Sequence, residues 1–284
     1  MTNRACLAGI TVGDGLDVAV VGALNVSPES FYHGSVATQA DHLLRVAEAM
    51  AGAGAAFVDV GAMSTAPYLA ARIMESQEAD RLAWAIDLLV KKLGLPVSAD
   101  TSRRLPARAA LDAGARIIND VSGLTGDADM APEVARAGVG LILMASERRE
   151  RAAGDPIAIV NALLEESLAI ARAAGIDPSR IVVDPGIGFF RNQGMAWHEW
   201  DCAVLGRLRE LRRLGRPVSI GVSRKSFIGA LAAEDDPTRR LPGSLAATAA
   251  AVLSGAQLVR AHDVAETVQA VKVAQAVRRA REGR

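Results

Sequence analysis

Cysteine, aromatic side chains, net charge and long apolar runs are all scarce in this chain, and each scarcity removes a class of protein. The two cysteines, Cys6 and Cys202, show no metal-binding or redox spacing and read as plain reduced thiols. Lys plus Arg and Asp plus Glu number 32 each, so no basic field points to nucleic acid or to an anionic membrane. No run of 18 apolar residues occurs, and the opening Met1-Thr2-Asn3-Arg4-Ala5-Cys6 lacks the apolar core of a signal peptide. The expectation is a soluble, cytoplasmic protein with neither a membrane nor a nucleic-acid partner. Aromatics make up 4% of the 284 residues, half of the chain is hydrophobic, and Ala and Gly are abundant. That balance suits one large α/β domain, since α/β barrels run to about 250 residues. No repeat, low-complexity stretch or linker divides the chain. One barrel domain over residues 1–284 is therefore expected, with 1–17 as an N-terminal extension.

What the chain does have is one construction repeated eight times: a short apolar strand that ends in a polar residue, followed by a helix. The clearest copy is Ile181-Val182-Val183-Asp184-Pro185-Gly186-Ile187-Gly188-Phe189. Three β-branched residues read as a strand buried on both faces, as in parallel sheets. Asp184 stands at its carboxyl end, and Pro185 and Gly186 stop it. The other strands are Val18–Asn25, Ala56–Val60, Pro96–Ala99, Arg116–Ile118, Val139–Met144, Pro217–Gly221 and Gln257–Val259. Helices are expected over Gln39–Ala53, Glu75–Lys92, Leu105–Ala113, Ala128–Ala137, Pro156–Ala174, Met195–Leu214, in stretches up to Leu253, and over Val264–Arg281. Gly54, Gly94, Gly114, Gly138, Gly175, Gly215 and Gly255 mark helix-to-strand joints, where a left-handed residue closes the helix. Eight uninterrupted units fit a closed (β/α)8 TIM barrel. A doubly wound open sheet is the alternative, but Gly22-Ala23-Leu24-Asn25 is not the phosphate fingerprint such a sheet carries after its first strand.

In a barrel, every strand end faces one mouth, so Asn25, Asp100, Asn119, Asp184, Lys225, Arg260 and His262 would meet there. Any one of them alone is more often a satisfied structural group; seven converging make a site. Acids and an amide opposite a Lys suit a flat nitrogen heterocycle, because carboxylates accept from amino and ring N–H groups while Lys donates. Arg260 and His262 stand two apart, hence on one side of their strand, and Arg offers a donor fork suited to phosphate.

Seven blocks of this sequence resemble the signatures of dihydropteroate synthases. They are Leu24-Asn25-Val26-Ser27-Pro28-Glu29-Ser30-Phe31, Ser98-Ala99-Asp100-Thr101, Ile117-Ile118-Asn119-Asp120-Val121-Ser122-Gly123, Asp184-Pro185-Gly186-Ile187-Gly188-Phe189, Gly221-Val222-Ser223-Arg224-Lys225-Ser226, Leu241-Pro242-Gly243-Ser244 and Arg260-Ala261-His262-Asp263. Each is weak alone, but seven in family order over residues 18 to 270 are very specific. The resemblance implies a barrel that condenses 6-hydroxymethyl-7,8-dihydropterin diphosphate with p-aminobenzoate or a related arylamine in folate-type biosynthesis. Pyrophosphate is released, Mg²⁺ is needed, and the assembly is a homodimer, with the Ala- and Gly-rich Ser244–Gly255 as one candidate face. Carried over by position, Asp100, Asn119, Met144, Asp184, Phe189 and Lys225 would hold the pterin, with Asp100, Asp184 and Lys225 closest to the chemistry. Asn25, Arg260 and His262 would hold the diphosphate, Asn25 beside Mg²⁺. Thr65, Pro67, Tyr68 and Ser223 would line the arylamine side.

The departures from the family pattern gather on the amine side. Where the family reads Gly-Gly-Glu-Ser-Thr-Arg-Pro-Gly, this chain reads Gly61-Ala62-Met63-Ser64-Thr65-Ala66-Pro67-Tyr68, so the expected Arg is Ala66. Arg72 or Arg103 are the cations placed to replace it. The first loop has His33-Gly34 for Asp-Gly and Glu29 for Asp, and Ala145-Ser146 replaces a His-Met pair. The run Glu147-Arg148-Arg149-Glu150-Arg151 reads as a solvated face. Three further readings follow: a tetrahydromethanopterin-type synthase using a ribosylated aminobenzene, a methyltetrahydrofolate–corrinoid methyltransferase, and a pterin-binding paralogue without turnover.

Overall fold

Strand alternation in the chain becomes a ring of parallel strands in a computed structural model, which describes residues 2–26, 36–63, 73–147 and 154–283. A hairpin of β1 (Arg4–Leu7) and β2 (Ile10–Gly13) comes first. The strands of the ring are β3 (Ala19–Asn25), β4 (Phe57–Gly61), β5 (Val97–Asp100), β6 (Ile117–Asp120), β7 (Gly140–Met144), β8 (Ile181–Asp184), β9 (Ser219–Gly221) and β10 (Leu258–Ala261). Between and after them run α1 (Val36–Gly52), α2 (Glu75–Leu93), α3 (Arg104–Asp112), α4 (Met130–Ala137), α5 (Pro156–Ala173), α6 (Trp197–Gly206), α7 (Ser226–Ala232), α8 (Leu241–Leu253) and α9 (Val264–Arg281). The eight strands pair in parallel in the order β8-β7-β6-β5-β4-β3-β10-β9. The ends of that row meet at a parallel bridge between Val183 and Val218, with the Val183 N–H donating to the Pro217 carbonyl at 2.9 Å. The (β/α)8 barrel expected from the sequence is therefore the fold, its closure completed by that single bridge.

The helices pack by their apolar spacing. In α2, Ala79, Leu82, Ala85, Ile86 and Leu89 are buried at the three- and four-residue steps of one helix face. Glu75 and Glu78 lie in its first turn and Lys91 and Lys92 in its last, complementing the helix dipole. All seven glycines expected at helix ends take a positive φ, between 61° and 113°, so each does close its helix in the left-handed region.

Inside the barrel, each strand steps from floor to mouth in twos. Residues i and i+2 share a face of a strand, and the interior fills in layers. Val21, Phe57, Ile117, Ile142, Val182 and Leu258 form an apolar floor. Two residues further on stand Asp59 after Phe57, Asn119 after Ile117, Asp184 after Val182 and Arg260 after Leu258. The polar layer is thus built directly upon the floor that fixes it.

Two expectations change. The N-terminal segment is more than an extension: the β1–β2 hairpin places Ala5, Leu7 and Val12 against that floor and plugs the barrel from below. A Cβ at Gly140 would come within 2.8 Å of Leu7 Cδ2, so β7 and the plug meet through the missing side chain. The helix expected over Met195–Leu214 ends at Gly206 and continues as a 3₁₀ segment over Leu208–Leu214. Gly is a poor helix interior residue, and Arg207 leaves helical geometry with φ −121° while bonding Asp155 and Glu210.

Candidate active site

The register of the parallel strands places the candidate residues in rows. Asn25 pairs with Gly61, Gly61 with Asp100, and Asp100 with Asn119; on the other side, Met144 pairs with Asp184. A residue not singled out from the sequence, Asp59, sits beneath the first row. It is fully buried, and its Oδ2 accepts from Asn119 Nδ2 at 2.9 Å and from Arg260 Nε at 2.6 Å. Arg260 Nη2 donates in turn to Asp100 Oδ2 at 3.0 Å. One guanidinium thus spans two carboxylates from neighbouring strands. Asp59 Oδ1 and Asp100 Oδ1, both buried, have no hydrogen-bond partner among the described residues. Burial, with the Asp59 and Glu78 charges added, pushes the Asp100 carboxyl up to about 7 against the pull of Arg260 and Lys225.

Across the mouth, Asp184 closes β8. Its Oδ1 accepts from the Gly186 N–H at 2.8 Å, and burial raises its pKa despite that bond and the nearby Lys225. Gly186 then turns with φ 74°, where a Cβ would lie 2.4 Å from the Ala145 carbonyl oxygen. The following turn is moulded around Lys225. The ammonium donates to the Ile187 carbonyl at 2.6 Å and lies 4.3 Å from the centre of the Phe189 ring. A Cβ at Gly188 would fall 2.8 Å from Lys225 Cδ, so only glycine lets the stem pass. Burial lowers the Lys225 pKa to about 8, with Asp184, Asp201 and Asp100 opposing the fall.

Lys225 is carried by a backbone held in an unusual state. Arg224 adopts φ 57°, left-handed for a non-glycine residue. Its N–H donates to Ser244 Oγ at 2.8 Å, and its guanidinium grips Asp263 through Nε at 3.0 Å and Nη2 at 2.5 Å. On the other side of Arg224, Ser223 Oγ lies 3.0 Å from His262 Nδ1 and accepts from the His262 N–H at 3.3 Å. The residue expected beside the arylamine therefore touches one expected beside the diphosphate. Arg260 turns inward to Asp59 and Asp100, whereas His262 stays at the exposed rim.

Asn25, Asp100, Asn119, Met144, Asp184, Phe189, Ser223, Lys225, Arg260 and His262 all lie at the carboxyl ends of the barrel strands or just beyond them. Thr65, Pro67 and Tyr68, together with Ala66 and Arg72, lie outside the described residues. Arg103 is committed elsewhere. It pairs with the buried Glu78, which also accepts from Thr101 Oγ1 at 2.6 Å, and donates to the Ile73 carbonyl at 3.0 Å. Glu147, expected on a solvated face, instead accepts from the Arg191 and Asn192 N–H groups at 3.1 and 3.0 Å and from the Gln193 amide. It ties the loop after β7 to the loop after β8. Asp59 has a sequence signal, an acid inside the otherwise apolar Phe57-Val58-Asp59-Val60; Glu147 and Asp201 have none, since each accepts from backbone N–H groups, 44 and 13 residues away.

Comparisons with known proteins identify the family. Residues 21–262 match the family of pterin binding enzymes. The dihydropteroate synthase of Mycobacterium leprae is 43% identical over 268 residues, covering 90% of this chain and 92% of that protein. Among solved structures, the dihydropteroate synthase of Xanthomonas albilineans with 4-aminobenzoic acid superposes with a TM-score of 0.85 at 37% identity, covering 98% of each chain. That of Burkholderia cenocepacia, complexed with 7,8-dihydropteroate, gives 0.86 at 33% identity over the whole of both chains. By the family match over residues 21–262, by these relatives and by the shared barrel, the chain belongs to the dihydropteroate synthase family of pterin-binding transferases.

Proposed function

We propose that the site binds a dihydropterin diphosphate with its ring among Asp100, Asn119, Asp184 and Lys225, and that an arylamine nitrogen displaces the diphosphate. The observation that carries the reading is the buried Asp100 Oδ1, which has no donor among the described residues. A buried acceptor left open costs about 1–3 kcal/mol, and a ring N–H or amino group arriving in the mouth would recover it. Asp184 accepts from the same face of a pterin, and Lys225 donates to a ring carbonyl or nitrogen. Met144 and Phe189 form walls. The amine nitrogen forms a bond to the pterin methylene as the methylene–oxygen bond breaks. Positive charge on the methylene spreads into a ring held by carboxylates, and negative charge on the departing diphosphate meets Arg260 and His262. The alkylated amine then gives one proton to the released pyrophosphate, and no protein nucleophile takes part.

A divalent cation fits as a passenger of the diphosphate. Mg²⁺ keeps several waters and binds through one or two protein oxygens plus substrate phosphates. Among the described residues no three His, Cys, Asp or Glu side chains gather into a cage. Asn25, exposed at the end of β3, would offer one amide oxygen to Mg²⁺, which would neutralise charge on the leaving group.

For the amine we infer p-aminobenzoate, supported by the Xanthomonas albilineans relative named above with 4-aminobenzoic acid. Ala66 and Tyr68 favour a second reading, a ribosylated aminobenzene without a carboxylate to anchor, because Arg103 is engaged by Glu78 and does not stand in for the missing Arg. Ser223 is the one described residue that the family pattern assigns to this half; Thr65, Pro67 and Tyr68, assigned to it by the same pattern, lie outside the described residues. A homodimer in the cytoplasm completes the proposal. Candidate surfaces for it are the exposed Ala246 and Ala250 of α8, on a helix whose Ser244, Ala247, Thr248 and Ala251 are buried within the chain, and Val273 and Val277 on α9.

The pterin assignment is tested by Asp184→Asn. An amide presents one acceptor where the carboxylate has two, and a hydrogen bond to a charged group contributes about 1.5–3 kcal/mol. Calorimetry should show pterin affinity reduced roughly tenfold or more. Undiminished affinity would remove Asp184 from the site.

A further inference from the structure

The turn that moulds Lys225 is itself held from behind by a carboxylate that the reaction does not touch. Asp201, in the second turn of α6, is fully buried. Its Oδ1 accepts from the Gly188 N–H at 2.8 Å, and its Oδ2 has no hydrogen-bond partner among the described residues. Helix and turn are further locked by Phe190 stacked on Trp200, with ring centres 5.1 Å apart. On the far side of the same turn, Ile187, Gly188 and Phe189 each touch Lys225, through a carbonyl, an open Cα and a ring face.

A neutral acceptor would suffice to tie one N–H. A carboxylate there leaves a second oxygen desolvated with no return from hydrogen bonding. Its charge must therefore act on something, and the cations that face it are Lys225 and Arg191, with His198 on its own helix. Lys225 is faced by Asp184 from β8, Asp201 from α6, Asp100 from β5 and Arg260 from β10. Arg191 is already engaged by Ser226 Oγ at 2.8 Å and the Gly188 carbonyl at 3.2 Å, and lies over Trp197. We propose that Asp201 is a positioning residue for the transferase reaction: it fixes the Ile187–Phe189 turn and keeps the Lys225 ammonium charged and aimed into the mouth. The proposal rests on the reading of Lys225 as the pterin-facing donor. It gives a use to a buried charge that packing alone does not require.

The sign of the effect is definite. Burial raises Asp201 to about 6, so it is ionised above that pH and supports the Lys225 proton in the range where Lys225 titrates. Removing the charge should lower the Lys225 pKa. The test is competitive acetylation of the ligand-free enzyme across pH, read at the Lys225 peptide by mass spectrometry, in the unmutated protein, Asp201→Asn and Asp201→Ala. The Asn variant keeps an acceptor for Gly188 and loses only the charge. Its Lys225 midpoint should fall from about 8 by roughly one pH unit, the lower end of what a close opposite charge contributes. The alkaline limb of kcat/KM should move with it. A midpoint unchanged in Asp201→Asn overturns the proposal, because a purely structural tie would not move it. In the unmutated protein, the Gly188 amide proton resonance should titrate near pH 6, and a flat profile would contradict the proposal without any variant. The Lys225 midpoint and the Gly188 titration are independent of turnover. A shifted Lys225 midpoint in an enzyme that releases no pyrophosphate would keep the positioning role and overturn the proposed reaction instead.

Discussion

At the scale of single residues, the mouth depends on one cation shared between two acids. Arg260 is bonded to Asp59 and to Asp100, and Asp59 also holds the Asn119 amide. Asp59→Ala would leave that amide without its acceptor and Arg260 with a single carboxylate. Breaking a buried ion pair by removing one partner costs on the order of 3–5 kcal/mol. The expected outcome is a loss of that size in denaturant unfolding, together with a marked fall in kcat/KM, because Arg260 and Asn119 lose their common anchor. Unchanged stability with unchanged kcat/KM would remove Asp59 from the site. Why Asp59 escaped notice in the sequence is physical. Strand-end residues stand out because a polar side chain stops an apolar run, as Asp100 and Asp184 do. Asp59 lies in the middle of a run, and only the two-residue step from the Phe57 floor reveals that it points inward.

At the scale of elements, the loops after β9 and β10 act as one piece. Arg224 accepts left-handed backbone strain between Ser223 and Lys225, and Asp263 follows His262 directly. Their two-pronged ion pair therefore welds the loop carrying Lys225, the proposed pterin donor, to the loop carrying His262, proposed to meet the diphosphate. In a double-mutant cycle of Arg224→Ala and Asp263→Ala, the two changes should couple in kcat/KM by about 0.5–3 kcal/mol. Additive effects would mean that the loops are placed independently. The elements themselves were largely legible, since eight apolar runs and seven helix-closing glycines mark a barrel. The exceptions share a cause. The β1–β2 hairpin turns only Ala5, Leu7 and Val12 to the core, too few apolar residues to mark a strand pair, and its role as a plug comes from packing with residues as distant as Leu258. The Glu147 and Asp201 tethers bond backbone N–H groups, which every residue but proline has, so no pattern of residue types announces them.

At the scale of the whole molecule, the site is a store of unfavourable charge at neutral pH. Asp100 and Asp201 are raised from an ordinary 3.8 to about 7 and about 6, and Lys225 is lowered from 10.5 to about 8. Between pH 4 and 7 the folded chain holds protons on these acids that the unfolded chain has released, so their contribution to stability falls as pH rises. Between pH 8 and 10.5 the unfolded chain keeps the lysine proton that the folded one has lost, so that contribution rises again. The contribution of these groups is lowest from about pH 7 to 8, where a bound pterin would relieve it. Asp100→Asn mimics the protonated acid. It should raise Tm at pH 7.5 by at least roughly 2–4 °C, the shift that about 1 kcal/mol produces in a chain of this size. At pH 4.5 it should change Tm little. Equal shifts at both pH values would mean that Asp100 is not held protonated by its surroundings.

The reaction itself is tested most directly by mixing the enzyme, Mg²⁺ and 6-hydroxymethyl-7,8-dihydropterin diphosphate with p-aminobenzoate or a p-aminophenyl riboside phosphate, and following pyrophosphate release. The expected result is pyrophosphate and dihydropteroate in equal amounts with p-aminobenzoate, at a kcat/KM above that for the riboside. Release with the riboside alone would overturn the proposed amine, and no release with either amine would contradict the proposed condensation.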